Sequence, residues 1–140
     1  RRFDQAITSI DEQRRAGRAI VLVTGSLDFI IAPLAEETRA DAVIAARLIE
    51  SGGRFTGALD GPPIGGDEKA TRMRDFAQQR GVDLSRSHAF GDSMADLPML
   101  EVVGFPHAVN PDRGLYAIAR RRGWPTHHWT VAAQSTGGCR

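Results

Sequence analysis

Gly91-Asp92-Ser93-Met94-Ala95-Asp96-Leu97-Pro98-Met99-Leu100 places two acids four residues apart. Ser87-His88-Ala89-Phe90 runs into it as a strand, and Leu97, Leu100 and Val103 follow at helical spacing. Asp92 is therefore expected where a strand ends and a helix begins. In an open α/β sheet, the crevice beyond the carboxyl ends of the strands is where ligands bind. Two carboxylates there suit a hard cation such as Mg²⁺, which takes few protein oxygens and keeps positions for water and phosphate. The competing reading is an aspartate that merely caps a helix.

Two further segments bear on that choice. Ala19-Ile20-Val21-Leu22-Val23 is a continuous apolar run, as in a strand buried on both faces of a parallel sheet. Thr24-Gly25-Ser26 follows at its expected end, offering a hydroxyl and bare backbone N–H groups to an anion. Ordinary turn chemistry uses the same residues. Farther on, Lys69 of Ile64-Gly65-Gly66-Asp67-Glu68-Lys69-Ala70 falls in the first turn of a helix whose face is Ala70, Met73 and Ala77. A cation there opposes the helix dipole, and such a placement suits a phosphate-holding role.

Taken in order, Thr24-Gly25, Lys69, and Asp92 with Asp96 resemble motifs II, III and IV of the haloacid dehalogenase superfamily of Mg²⁺-dependent phosphotransferases. Val23-Thr24-Gly25-Ser26, Gly53-Arg54-Phe55-Thr56-Gly57, Val109-Asn110-Pro111-Asp112 and Arg122-Gly123-Trp124-Pro125 support the likeness. It extends over about residues 18–129 and is closest in character to the subfamily of phosphoserine phosphatases. P-type ATPases share the motif logic, but the Gly-Arg-Phe-Thr-Gly hairpin and the Leu-Pro-Met-Leu helix resemble the phosphatases.

The resemblance implies an α/β fold with a three-layer, Rossmann-like parallel sheet. It also implies roles. Asp92 would hold Mg²⁺ and Asp96 would orient Asp92 or a metal-bound water. Thr24 and the Gly25 N–H would bind phosphoryl oxygens, and Lys69 would neutralise charge on an aspartyl phosphate. The substrate would be a small phosphorylated metabolite. The family's motif I is a strand ending in Asp-x-Asp-x-Thr whose first Asp is the nucleophile, and no Asp-x-Asp occurs in these residues. Asp4, Asp28 and Asp60 stand alone. The usual cap module is missing as well. In the family, the motif I strand lies between the strands that end at Thr24 and at Asp92, so two apolar edges are expected to need a partner. Residues 1–130 are thus expected to form the C-terminal part of a hydrolase core, with residues 131–140 a frayed tail. Either a preceding segment or another chain would supply the missing strand. The alternatives are a non-catalytic module that binds phosphate or a partner, and one part of a larger fusion protein.

The opening supports an interior position in a domain: Phe3, Ile7 and Ile10 form a helix face, Arg14-Arg15 lie near its end and Gly17 stops it. Strand and helix patterns then alternate, as in a parallel α/β sheet. A helical stretch is expected from Leu27 with an interruption near Pro33, then a strand over residues 41–49, a hairpin turning at Gly52-Gly53, a strand near residues 106–109 and a helix over residues 112–122.

Composition narrows the partners. With 140 residues and a formal net charge of +1, neither a nucleic-acid nor a membrane surface is expected. Arg120-Arg121-Arg122 falls at a helix C-terminus, where cations are favoured in any case. No run of 18 apolar residues and no signal peptide is present. Cys139 is the single cysteine, which fits a reducing, cytoplasmic setting. His127 and His128 have no companions at metal-ligand spacing.

Overall fold

The computed structural model describes residues 4–46, 48–51, 54–59 and 64–130. Helix α1 (Asp4–Arg15) leads into strand β1 (Val21–Leu27), helix α2 (Asp28–Thr38) and strand β2 (Ala42–Ala46). Next come β3 (Leu48–Ser51), β4 (Arg54–Leu59) and helix α3 (Gly66–Arg80). The chain finishes with β5 (His88–Gly91), α4 (Leu97–Glu101), β6 (Phe105–Val109), α5 (Arg113–Arg122) and β7 (Thr126–His127). The architecture is mixed α/β with parallel sheets, as the alternation of patterns implies.

β1 and β2 pair in parallel, with Val21, Leu22 and Val23 opposite Ala42, Val43 and Ile44. Asp41 locks the start of this pair: its Oδ2 accepts from Ile20 N–H at 2.6 Å, and its own N–H donates to Ile20 C=O at 2.7 Å. The second parallel sheet has the order β5–β6–β7. β3 and β4 form a separate antiparallel hairpin, while Gly52-Gly53, where its turn is expected, lie outside the described residues.

Alternation along β5 and β6 assigns their two faces opposite tasks. Ala89 and Ala108 point into the core with Met99 and Leu100 of α4 and Leu115 and Ala119 of α5. Leu100 and Leu115 are fully buried. Small strand residues let the helices approach closely, and the two leucines fill the space between. Gly104, which precedes β6, is pressed against the Ser85 carbonyl, where any Cβ would sit 1.7 Å from the oxygen. The other face carries His88, Phe90 and His107, none of them part of that core.

Among the described residues, β1 pairs with β2 alone and β5 with β6 alone. The two strands line a single cleft of about 950 Å³. Val21 and Val23 of β1 and Phe90 of β5 border it, with Ile10 of α1, Met73 of α3 and Met99 of α4. Residues of β1 and of β5 thus face the same space.

Several boundaries differ from those the sequence implies. α2 begins at Asp28, not Leu27, and is continuous through Pro33, where an interruption is expected. Proline removes one helical N–H, and a helix packed against β1 and β2 tolerates that local loss. The single strand expected over residues 41–49 is two strands, β2 and β3, which belong to different sheets. β7 was not expected at all; two residues are too few to show a period. Phe3 and the tail from residue 131 lie outside the described residues.

Candidate active site

β5 ends at Gly91, and the chain passes through a single 3₁₀ turn, Met94–Asp96, before α4 begins. Asp92 therefore lies in a turn beyond the strand, not at a direct strand-to-helix junction. It is exposed, whereas Asp96 is only 6% exposed. Neither acid acts as a side-chain cap: the caps of the 3₁₀ turn and of α4 carry no side-chain hydrogen bond. The capping alternative fails, because the Asp96 carboxylate turns back on the chain. Its Oδ2 accepts from the Asp92 N–H at 3.0 Å. Its Oδ1 accepts from Lys69 Nζ at 2.6 Å. Gly91 is required beside it, since a Cβ there would lie 2.7 Å from Asp96 Cβ.

The two carboxyls are thereby set to different protonation behaviour. Burial works against ionisation of Asp96, but hydrogen bonds from Lys69 and the Asp92 N–H outweigh it and hold its carboxyl below the ordinary value. Asp92 is pushed up, first by desolvation and then by the adjacent Asp96. An exposed carboxylate that sits beside a second, committed one has excess negative charge, which a divalent cation relieves. Among the described residues, no group of three or more His, Cys, Asp or Glu side chains converges as a metal site. Among the described residues the donor set is therefore small: the exposed Asp92 carboxylate, with Asp96 behind it. That fits a hydrated hard cation better than a fully caged one.

Lys69 is the fourth residue of α3, and Asp67 and Glu68 share its first turn. Its unfavourable position is compensated by the Asp96 carboxylate. Thr24 and Gly25 are not at the end of β1 but inside it. The pairing with β2 is regular through Val23, shifts register, and resumes at Leu27. Thr24 to Ser26 thus occupy the stretch of strand over which the pairing register shifts. Thr24 is partly buried. The structure brings Lys69, Asp92 and Asp96 into contact, while Thr24 and Gly25 belong to the strand on the other side of the cleft.

Two arrangements were not legible in the sequence. Asp112, at the start of α5, accepts from Met94 N–H at 3.0 Å as well as from Leu115 N–H at 2.9 Å. The other is a ladder of three histidines across β5, β6 and β7. His88 Nδ1 lies 2.9 Å from His107 Nε2, and His107 Nδ1 lies 3.0 Å from His127 Nε2. The rings stack, with Phe90 4.3 Å from the His107 ring centre and Phe105 4.7 Å from that of His88. Only the pairing register, Phe90 opposite His107 and Val109 opposite His127, puts these residues on one face.

Residues 1–101 match the family model described as haloacid dehalogenase-like hydrolase. A Streptomyces azureus protein named for inhibition of morphological differentiation is 44% identical over 124 residues, which are 88% of this chain and 44% of that protein. A phosphoserine phosphatase of Mycobacterium tuberculosis is 33% identical over 120 residues, 86% of this chain and 39% of its own length. The chain thus spans less than half of those relatives. A Bordetella pertussis structure of unknown function superposes with a TM-score of 0.82 at 33% identity, covering 88% of this chain and 56% of that one. An unliganded phosphoserine phosphatase superposes with a TM-score of 0.68 at 26% identity, covering 80% and 56%.

Proposed function

This chain belongs to the haloacid dehalogenase-like hydrolase family, and from that premise we propose that it is the larger part of the core of a Mg²⁺-dependent phosphomonoesterase acting on a small phosphorylated metabolite. The observation that carries the reading is the Lys69–Asp96–Asp92 constellation beyond the carboxyl end of β5. Asp92 would hold the cation, and Asp96, already fixed by Lys69, would set its orientation. Thr24 and the Gly25 N–H would receive phosphoryl oxygens. Lys69 would offset negative charge on the phosphorylated carboxylate, the electrostatic part of phosphoryl transfer. Magnesium, when bound, would add charge neutralisation at the transferred group.

The nucleophile would come from a strand seated in the cleft between β1 and β5, paired with both. An extended apolar segment ending in an acid would bring its carboxylate to the same end of the sheet as Asp92. A phosphoserine-like substrate is suggested by the names of relatives and structural neighbours. A cytoplasmic setting is part of the same proposal; among the described residues no helix is long and apolar enough to cross a membrane.

The absence of an Asp-x-Asp pair from residues 1–140 favours one alternative, a module that binds phosphate or a partner without turnover. Hydrolysis of p-nitrophenyl phosphate separates the two. The chain alone should be inactive, because no residue can take the nucleophile's place. A longer form carrying a strand that ends in Asp-x-Asp should turn over in Mg²⁺ and lose activity on Asp92→Asn. Inactivity of that longer form would favour the binding module. Turnover by residues 1–140 alone would mean that the nucleophile has been misassigned.

A further inference from the structure

The turn that presents Asp92 is fixed by a residue of the neighbouring strand–helix connection. Asp92 has both of its peptide groups engaged: its N–H donates to Asp96 Oδ2 at 3.0 Å, and its C=O accepts from the Asp112 N–H at 2.9 Å. Two residues later, the Met94 N–H donates to Asp112 Oδ2 at 3.0 Å. The exposed Asp92 carboxylate therefore projects from a backbone held on both sides.

Asp112 is also the N-cap of α5, where Oδ1 accepts from Leu115 N–H at 2.9 Å. A cap needs only that one oxygen. The second oxygen reaches a turn 18 residues earlier in the chain, an interaction that capping does not require. Close packing accompanies it: a Cβ on Gly114 would lie 2.7 Å from Met94 Cγ. The carboxyl end of β6 is anchored in turn. Asn110 N–H donates to His127 C=O at 2.8 Å, and the Asn110 amide both donates to Trp129 C=O and accepts from its N–H, each at 2.8 Å.

We infer that Asp112 is a positioning residue for Asp92, clamping the turn of residues 92–94 from the adjacent strand so that the carboxylate is preset to receive a divalent cation. The inference rests on the reading of Asp92 as the metal-holding group. Outer partners of this kind change metal affinity by about 10- to 100-fold when removed.

The experiment uses the longer form whose added strand ends in Asp-x-Asp, and compares the wild type with Asp112→Ser and Asp112→Asn. Serine retains an oxygen for Leu115 N–H but has none left for Met94. Asparagine keeps the shape but turns an amide toward the Met94 N–H. Mg²⁺ alone is titrated, and its Kd is read from the amide NMR shifts of residues 91–96, which register even millimolar binding. Solvent exchange of the Met94 amide is followed without metal. Both variants should bind Mg²⁺ about tenfold more weakly and exchange Met94 faster, while the Leu115 amide of Asp112→Ser stays protected. Mg²⁺ affinity within about twofold of wild type in both variants would overturn the positioning role. A wild-type longer form with no Mg²⁺-dependent shift in residues 91–96 is a different result, readable before any variant. It would remove the metal role of Asp92 and this inference with it.

Discussion

Lys69 Nζ lies 2.6 Å from Asp96 Oδ1, and the two side chains retain only 15% and 9% of their exposure. Removing one partner of such a pair leaves the other buried and uncompensated, which is far worse than replacing both. Lys69→Met should therefore destabilise the fold by about 3 kcal/mol, and Asp96→Leu should do likewise. The double variant should recover much of the loss. Urea denaturation of the three variants gives the coupling energy directly. Strict additivity would show that the pair is not coupled in solution.

The histidine ladder leads to a pH prediction whose sign is fixed by the direction of the shift. Desolvation first, then His127 and His88, push His107 down from 6.5 to about 4. Desolvation and Arg18 lower His88 as well. A base that is harder to protonate in the folded state gives stability that is complete above the unfolded value. That stability is lost as pH falls from 6.5 toward 4, because the unfolded chain takes up the proton first. Discounted for the solvent that still reaches the ring, the loss is on the order of 1–2 kcal/mol. His107→Phe keeps the stack but cannot titrate, so its thermal midpoint should fall less between pH 7 and pH 4.5. Parallel profiles for the two proteins would mean that His107 titrates normally when folded.

How far these features could be read from the chain depends on the range of the interaction. The apolar run before Thr24 and the helical spacings behind Lys69 and Asp96 are local, and β1, α3 and α4 follow from them. The acid pair and its lysine were legible because their order along the chain resembles a known set of motifs. Three things were not. Pro33 reads as a break, but packing on β1 and β2 overrides local propensity. The ladder of His88, His107 and His127 depends on strand register, which no single segment encodes. Asp112 reads only as the start of a helix, and folding alone brings its second oxygen to Met94.

Gly104 tests the packing between β6 and the loop before β5. Its N–H donates to Leu84 C=O at 2.9 Å, and a Cβ would lie 1.7 Å from the Ser85 carbonyl oxygen. Backbone cannot move aside as a flexible side chain can. Gly104→Ala should therefore cost about 2–3 kcal/mol, as overpacking does, while Gly65→Ala, which meets nothing within 4 Å, should cost far less. Equal thermal midpoints for the two variants would contradict the close approach.

The cleft between β1 and β5 gives the last prediction. Each strand pairs on one side only among the described residues, and apolar side chains such as Val21, Val23 and Met99 line the space between them. Unpaired strand edges expose backbone groups that must find partners or water, and apolar edges invite association. Residues 1–140 on their own should therefore unfold over a broad range or self-associate. An extended apolar peptide supplied in excess should seat in the slot, complete both ladders and sharpen the transition. Stabilisation by mass action makes the effect quantitative: a peptide at about 100 times its Kd should add about 2.7 kcal/mol. Calorimetry with and without the peptide, together with sedimentation, decides the matter. A monomer with one sharp transition, unmoved by the peptide, would mean that the two sheets need no strand between them. In that case the nucleophile would have to reach Asp92 by another route, and the phosphatase reading would lose its geometry.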